Sequence, residues 1–187
     1  MAAIDARMFR QTMGLFVSGV TVVAVQGDDD IHAMTANAVT SLSMDPTMVL
    51  VCVGKEARMM DYLSRASSFS INFLRAEQQA LSTYFAGGWE EPVAPPFRFM
   101  PWDGSPRLQG GLASLNCELY QQVDGGDHTI VIGEVTALHQ GIGPQHPLVF
   151  YNGRYARLGT EAGPPAPDMG LVDVPVHIFY DPWHKDP

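Results

Sequence analysis

Hydrophobic positions change period several times along this chain, and each change marks an element. Ile4, Met8, Phe9, Met13 and Phe16 recur at helical spacing, which predicts an amphipathic helix over residues 3–16. β-branched residues then predict a strand over 17–26, bent at Gly19. Asp28, Asp29 and Asp30 read as a polar hairpin tip. Strands are expected over 31–43 and 47–53, parted by the turn Met44-Asp-Pro-Thr47. Met59, Met60 and Leu63 place a helix over 56–65, and Ser68 to Leu74 alternates with the period of a strand. Leu81, Tyr84 and Phe85 share one face of a helix expected over 77–85. Residues 86–111, rich in Gly, Pro and aromatics, read as one long irregular loop, of a length that suits covering a site. Strands return over 113–123, 128–139 and 148–158. Residues 159–170 read as a linker and 171–183 as a final strand or arm, so the expected division is a domain over 1–158 and an appendage over 159–187. Many short strands, a few helices and no regular βαβ alternation point to a mostly β, mostly antiparallel barrel.

Composition narrows the partners. The 187 residues suffice for one domain with a full core, and 46% are hydrophobic against 17% charged. A formal charge of −9 repels polyanions, so neither nucleic acid nor an anionic membrane is an expected partner. Any phosphate-bearing ligand needs a local cationic spot. Cys52 and Cys117 each lie in an apolar strand-like run and read as small buried hydrophobes, not as a disulfide pair. No metal-ligand spacing is present, and none is expected. No apolar run approaches about 18 residues and no basic-then-apolar leader opens the chain, so the cytoplasm is the expected location.

Three segments carry candidate chemistry. Residues 125–135, Gly-Gly-Asp-His-Thr-Ile-Val-Ile-Gly-Glu-Val, form a tight glycine turn that delivers His128 to the first position of a β-prone strand. Taken alone, the same pattern also fits a polar rim histidine. In residues 35–43, Thr-Ala-Asn-Ala-Val-Thr-Ser-Leu-Ser, the small Ala36 and Ala38 let a flat ligand approach the backbone, and Thr40, Ser41 and Ser43 add hydroxyls. A polar edge strand leading to a proline turn fits that composition too. Gly54, Lys55 and Arg58 stand where a strand passes into a helix, so a helix N-terminus and two cations could meet a phosphate, or simply be solvated. No Gly-x-Gly-x-x-Gly occurs, which leaves a Rossmann site unsupported, and no Gly-x-Ser-x-Gly supports a hydrolase.

Together these segments resemble the short-chain flavin reductase-like family, the FMN-binding split β-barrels that serve as reductase components of two-component monooxygenases. The resemblance covers about residues 8–158 and rests on ordered matches. These are Phe9-Arg10 with Gly14, Gly19 to Val23, Met34 to Ser43 with Asp45-Pro46, Phe69 to Leu74, Phe85 to Gly87, Gly126-Asp-His128, Gly133 to Val135, and Pro147 to Tyr151 with Tyr155.

The resemblance implies that FMN or FAD lies along Thr35, Ala36, Asn37, Ala38, Val39, Thr40, Ser41 and Ser43. It sends the phosphate toward Ser41, Gly54, Lys55 and Arg58, and passes Asn72 and Phe73 near the ring system. It sets His128 beside the nicotinamide of NADH or NADPH, with Tyr151 and Arg154 close by. It further implies hydride transfer to flavin, a homodimer with flavin sites near the interface, and a flavin-dependent monooxygenase that receives the reduced flavin. Ala57 and Met59 depart from the Ser or Thr common in the family and leave fewer hydroxyls for a phosphate. The rival reading is a split barrel that binds flavin or haem for electron transfer or sensing without being a reductase.

Overall fold

The computed structural model describes residues 4–143 and 146–159. The expected linker and arm therefore fall, apart from Gly159, outside the described residues. Helix α1 (Ala6–Gly14) is capped by Asp5, whose carboxylate accepts from the Met8 amide at 2.8 Å. Strands β1 (Ser18–Gly19), β2 (Thr21–Gln26), β3 (Ile31–Ala36), β4 (Val39–Met44) and β5 (Thr47–Gly54) follow. Next come α2 (Met59–Leu63), β6 (Ser68–Phe73), a single 3₁₀ turn and α3 (Gln79–Phe85). The chain continues through β7 (Phe99–Trp102), β8 (Ser105–Leu108), β9 (Ala113–Gly125), β10 (His128–Gln140), β11 (Val149–Tyr151) and β12 (Arg154–Ala156).

Seven strands form one antiparallel sheet in the order β3-β2-β6-β9-β10-β5-β4. Its two end strands, β3 and β4, are consecutive in sequence and joined only by Asn37 and Ala38. Ala36 and Val39 are three steps apart, at most about 11 Å even when fully extended, so the sheet must curl until its edges meet. The Cys52 amide donates to the Ala38 carbonyl at 3.0 Å and ties this link to β5. The barrel is thus split between β3 and β4. The single strand expected over 31–43 is corrected: it breaks at Asn37-Ala38, and its halves pair with β2 and β5 instead of continuing one ladder.

β2 runs through the middle of the hydrophobic matter and is buried on both faces from Thr21 to Val25. Val23 and Val25 join Val51, Val53, Phe69, Ile71 and Val131 inside the barrel, where Met59 and Leu63 of α2 also pack. Val22 faces the other way, into a second cluster with Val20, Leu74, Leu81, Leu108 and Leu148. Alternate burial along β5, with Val49, Val51 and Val53 inside, is the period-two pattern of a strand with one dry face. Cys52 and Cys117 are free cysteines on β5 and β9. Burial pushes the Cys117 thiol up to about 12, so it stays protonated and inert.

Three further expectations change shape. The helix expected over 56–65 shortens to α2, five residues preceded by turns. The long loop over 86–111 contains the β7–β8 hairpin, whose Leu108 amide donates to buried Asn72. The strand expected over 148–158 is a hairpin, because Asn152 (φ 49°) and Gly153 (φ 73°) make the tight reversal that an Asn-Gly pair favours.

Gly133 lies where β10 shifts register against β9. A Cβ there would fall 2.6 Å from Phe69 Cζ and 2.8 Å from Cys117 Cβ, both fully buried. Gly133→Ala is therefore expected to lower unfolding free energy by about 1–3 kcal/mol through overpacking. Denaturant titration measures it, and an unchanged midpoint would show that Phe69 can move aside.

Candidate functional site

The longest hairpin, β9–β10, reverses at Gly126 and Asp127, the former at φ 83°. His128 is the first residue of β10 and pairs with Gly125 on one side and Gly54 of β5 on the other. A methyl group placed on Gly54 would sit 3.9 Å from His128 Nε2, so the imidazole lies over the end of β5. Asp127 Oδ1 is 2.7 Å from His128 Nδ1. The hydrogen bond with His128, ahead of the Coulombic attraction, holds Asp127 below the usual carboxylate range, so it is ionised and can only accept. Nδ1 then donates, and Nε2 is left for another partner.

The turn after β5 folds against the same tip, since the Lys55 amide donates to the Asp127 carbonyl at 3.0 Å. Lys55 Nζ forms a hydrogen-bonded ion pair with Asp124. That bond with Lys55 is the main reason the Asp124 carboxyl lies below its ordinary value. Arg58 goes elsewhere. Its Nη2 donates to Tyr62 Oη at 2.9 Å, Tyr62 donates to Asp30 at 2.8 Å, and Arg58 stands 3.8 Å from that carboxylate. His32 stacks on Tyr62 with ring centroids 4.6 Å apart. Burial, then the nearby Arg58 charge, lowers the His32 pKa against the opposing pull of Asp30. The two cations thus diverge, one to the β9–β10 tip and one to the β2–β3 tip. With only five residues, α2 is too short to supply the expected helix-terminus site.

The segment Thr35 to Ser43 divides in the same way. Thr35 Oγ1 donates to the Ser82 carbonyl of α3 at 2.7 Å, and buried Ala36 accepts from Thr21 Oγ1. Asn37 and Ala38, both exposed, form the link at the split, with Asn37 Nδ2 3.3 Å from Ser18 Oγ. Val39 packs on the barrel core, while Thr40 is exposed and its hydroxyl donates to the neighbouring Ser41 carbonyl. Ser43 accepts from the Asp45 amide at 3.2 Å. Ser41 Oγ is enclosed and finds no partner among the described residues. Among the described residues β4 is an end strand that pairs only with β5, which leaves its outer backbone groups without a strand partner there. An enclosed hydroxyl without a partner beside an unpaired strand edge is a polar surface that the hydrogen-bonding rim of a flavin can satisfy, and the residues fit that group. Ser41, however, pairs with Val49, five residues from Gly54 along β5, or about 17 Å. It does not share a phosphate site with Lys55.

Asn72 is 0% exposed and its amide is fully spent. Nδ2 donates to the Val22 carbonyl and to Ser70 Oγ, while Oδ1 accepts from the Leu108 amide and Ser114 Oγ, all within 3.1 Å. Its side chain clamps β6 to β2, β8 and β9 and has nothing left for a ligand. Phe73 packs against the barrel core. Tyr151 and Arg154 pair in the separate β1-β11-β12 sheet, exposed and off β10. Asp124 and Asp127 escaped the sequence reading as functional groups, although both flank the glycine turn that drew notice to His128. A cleft of about 1110 Å³ lies between β3, α3 and residues 84–99, with His32, Tyr84, Phe85, Trp89, Phe97 and Phe99 in its walls. None of the expected flavin contacts lines it.

The profile of the flavin reductase like domain matches residues 13–159. The chain belongs to this flavin reductase family. An NADH-dependent flavin reductase from Rhodococcus sp. is 39% identical over 152 residues, covering 80% of this reductase and 84% of that relative. The reductase component of 4-hydroxyphenylacetate 3-monooxygenase from Thermus thermophilus is 38% identical over 151 residues, covering 80% of this chain and 95% of its own. The solved flavin reductase PheA2 superposes with a TM-score of 0.78 at 39% identity, covering 83% of the reductase and 99% of PheA2. No helix among the described residues of the reductase is long and apolar enough to cross a membrane.

Truncating Asn72 strands several buried partners at once. Asn72→Ala in the reductase should cost about 1–3 kcal/mol of stability for each buried group left unpaired. Thermal unfolding reads that loss. Flavin affinity per folded molecule should stay near wild type, and a selective loss of affinity would return Asn72 to the ligand site.

Proposed function

We propose that this reductase takes hydride from NADH and passes it to FMN or FAD, releasing reduced flavin to a separate flavin-dependent monooxygenase. The observation that carries the reading is His128, held at the head of β10 over the end of β5 with its Nδ1 fixed by Asp127. Bound flavin supplies the two-electron acceptor. The chain's residues supply position. The open edge of β4 and the Asn37–Ala38 link receive the flavin's polar rim, and Ser41 offers its unused hydroxyl. Lys55 receives phosphate. His128 Nε2 meets the nicotinamide side of the dinucleotide and aligns it with the flavin, which matters because hydride transfer needs the reacting atoms within about 3–3.5 Å. A relative named as NADH-dependent and another named as a monooxygenase reductase component support the donor and the partner. Those names also leave the rival of a non-reductase binder without support.

His128→Ala should leave flavin affinity within about two-fold while lowering kcat/KM for NADH by about ten-fold, the size of one lost hydrogen bond. Anaerobic single-turnover reduction separates alignment from binding. Lost alignment lowers the limiting rate, and lost binding raises only the NADH concentration needed to reach it. Wild-type rates across a full NADH titration would remove His128 from the site.

Helix α1 buries none of its residues, and Ile4, Met8, Phe9, Met13, Leu15, Phe16 and Val17 are all exposed. An apolar surface of this kind marks an interface, and we assign it to a second copy of this chain. Light scattering at micromolar concentration should give about twice the mass of one chain. Phe9→Asp or Phe16→Asp should yield monomer, since the interface would have to bury an unpaired carboxylate. A monomeric wild type would refute the assignment.

A further inference from the structure

Lys55 already has an anion. In a chain of net charge −9, the cation best placed to meet a ligand phosphate at this tip is paired with Asp124, two positions before the turn glycine Gly126. The pair is reachable: the side chains are 43% and 77% exposed. It is also separable from the fold. Lys55 is anchored to the tip by its backbone amide on the Asp127 carbonyl, and Asp124 is held by the β9–β10 ladder opposite Thr129. Neither anchor needs the ion pair, so the Lys55 side chain can exchange one anion for another without moving the strands.

We propose that Asp124 is an internal stand-in for a ligand phosphate at Lys55, which holds down affinity for phosphorylated ligands so that they exchange freely. This inference rests on the reading of Lys55 as the phosphate-receiving residue. A carboxylate and a phosphate oxygen both accept from an ammonium, and one Lys55 cannot satisfy both fully. The ammonium has three N–H donors but a single charge, so a bound phosphate either displaces Asp124 or shares Lys55 with it and meets its repulsion. A reductase that hands its flavin to another protein gains from such competition, because tight retention would oppose transfer. The phosphate could belong to the flavin or to the dinucleotide, and the same chemistry serves both.

Asp124→Asn keeps the shape and removes the charge. Dissociation constants for FMN and for riboflavin, which lacks the phosphate, test the flavin source. Apparent KM values for NADH and for a phosphate-free dihydronicotinamide test the dinucleotide source. Binding of at least one phosphate-bearing ligand should tighten by about two- to five-fold, the size of an exposed ion pair, while its phosphate-free counterpart stays unchanged. The gain should vanish in Lys55→Ala/Asp124→Asn. No gain for FMN or NADH, an equal gain for phosphate-free ligands, or a gain that survives loss of Lys55 would each overturn the proposal. Lys55→Ala alone separates the two levels. If it leaves FMN and NADH binding unchanged, the phosphate reading of Lys55 fails. If it weakens either while Asp124→Asn tightens neither, only the competition fails. Asp124→Ser carries the same comparison should the asparagine variant not fold.

Discussion

The two-residue link between β3 and β4 is the constraint on which the rest of the structure depends. Asn37 and Ala38 must join strands that stand at opposite ends of a seven-stranded order, so the sheet has to close on itself. Closure encloses Val23, Val25, Phe69 and Val131 in one dry interior. It also leaves a split at which, among the described residues, the outer edge of β4 has no strand partner and the Ser41 hydroxyl has no hydrogen-bond partner. A fully closed barrel would spend those groups on itself, and an open sheet would leave the interior wet. The split is where a flat, polar-edged ligand can complete what the protein leaves incomplete.

Electrostatics at the site follow from a scarcity of cations. With 11 Lys and Arg against 20 Asp and Glu, each cation near the end of β5 finds a carboxylate within reach. Lys55 goes to Asp124 and Arg58 to Tyr62 and Asp30, so the turn between them points its charges at two different hairpin tips. The same scarcity shapes His128, whose orientation comes from Asp127 and leaves one ring nitrogen for a visitor.

Much of this was legible in the chain itself. Local spacing revealed α1, β2, β5, β6 and the β9–β10 hairpin, because each depends on residues within one or two turns or pleats of each other. The glycine turn before His128 likewise announced where that imidazole begins its strand, and the ordered motifs were enough to identify the family. The β11–β12 reversal was readable too, since Asn152-Gly153 is a strong local turn signal, yet its brevity hid it inside one β-prone run.

Other features only the tertiary structure decided, and the reason is separation along the chain. Lys55 and Asp124 are 69 positions apart, and Tyr62 and Asp30 are 32 apart, so no local pattern shows which cation meets which carboxylate. The family resemblance placed Asn72 near the flavin ring system. Its four bonds reach Val22, Ser70, Leu108 and Ser114, a closure visible only once β2, β8 and β9 are folded around it. The break at Asn37-Ala38 belongs here as well. Composition marks residues 31–43 as extended throughout, but pairing of β3 with β2 and of β4 with β5 divides them. Sequence determined which elements form and which histidine is displayed, since those are short-range matters of period and turn chemistry. Packing determined which polar groups remain free, since that depends on every neighbour the fold brings in.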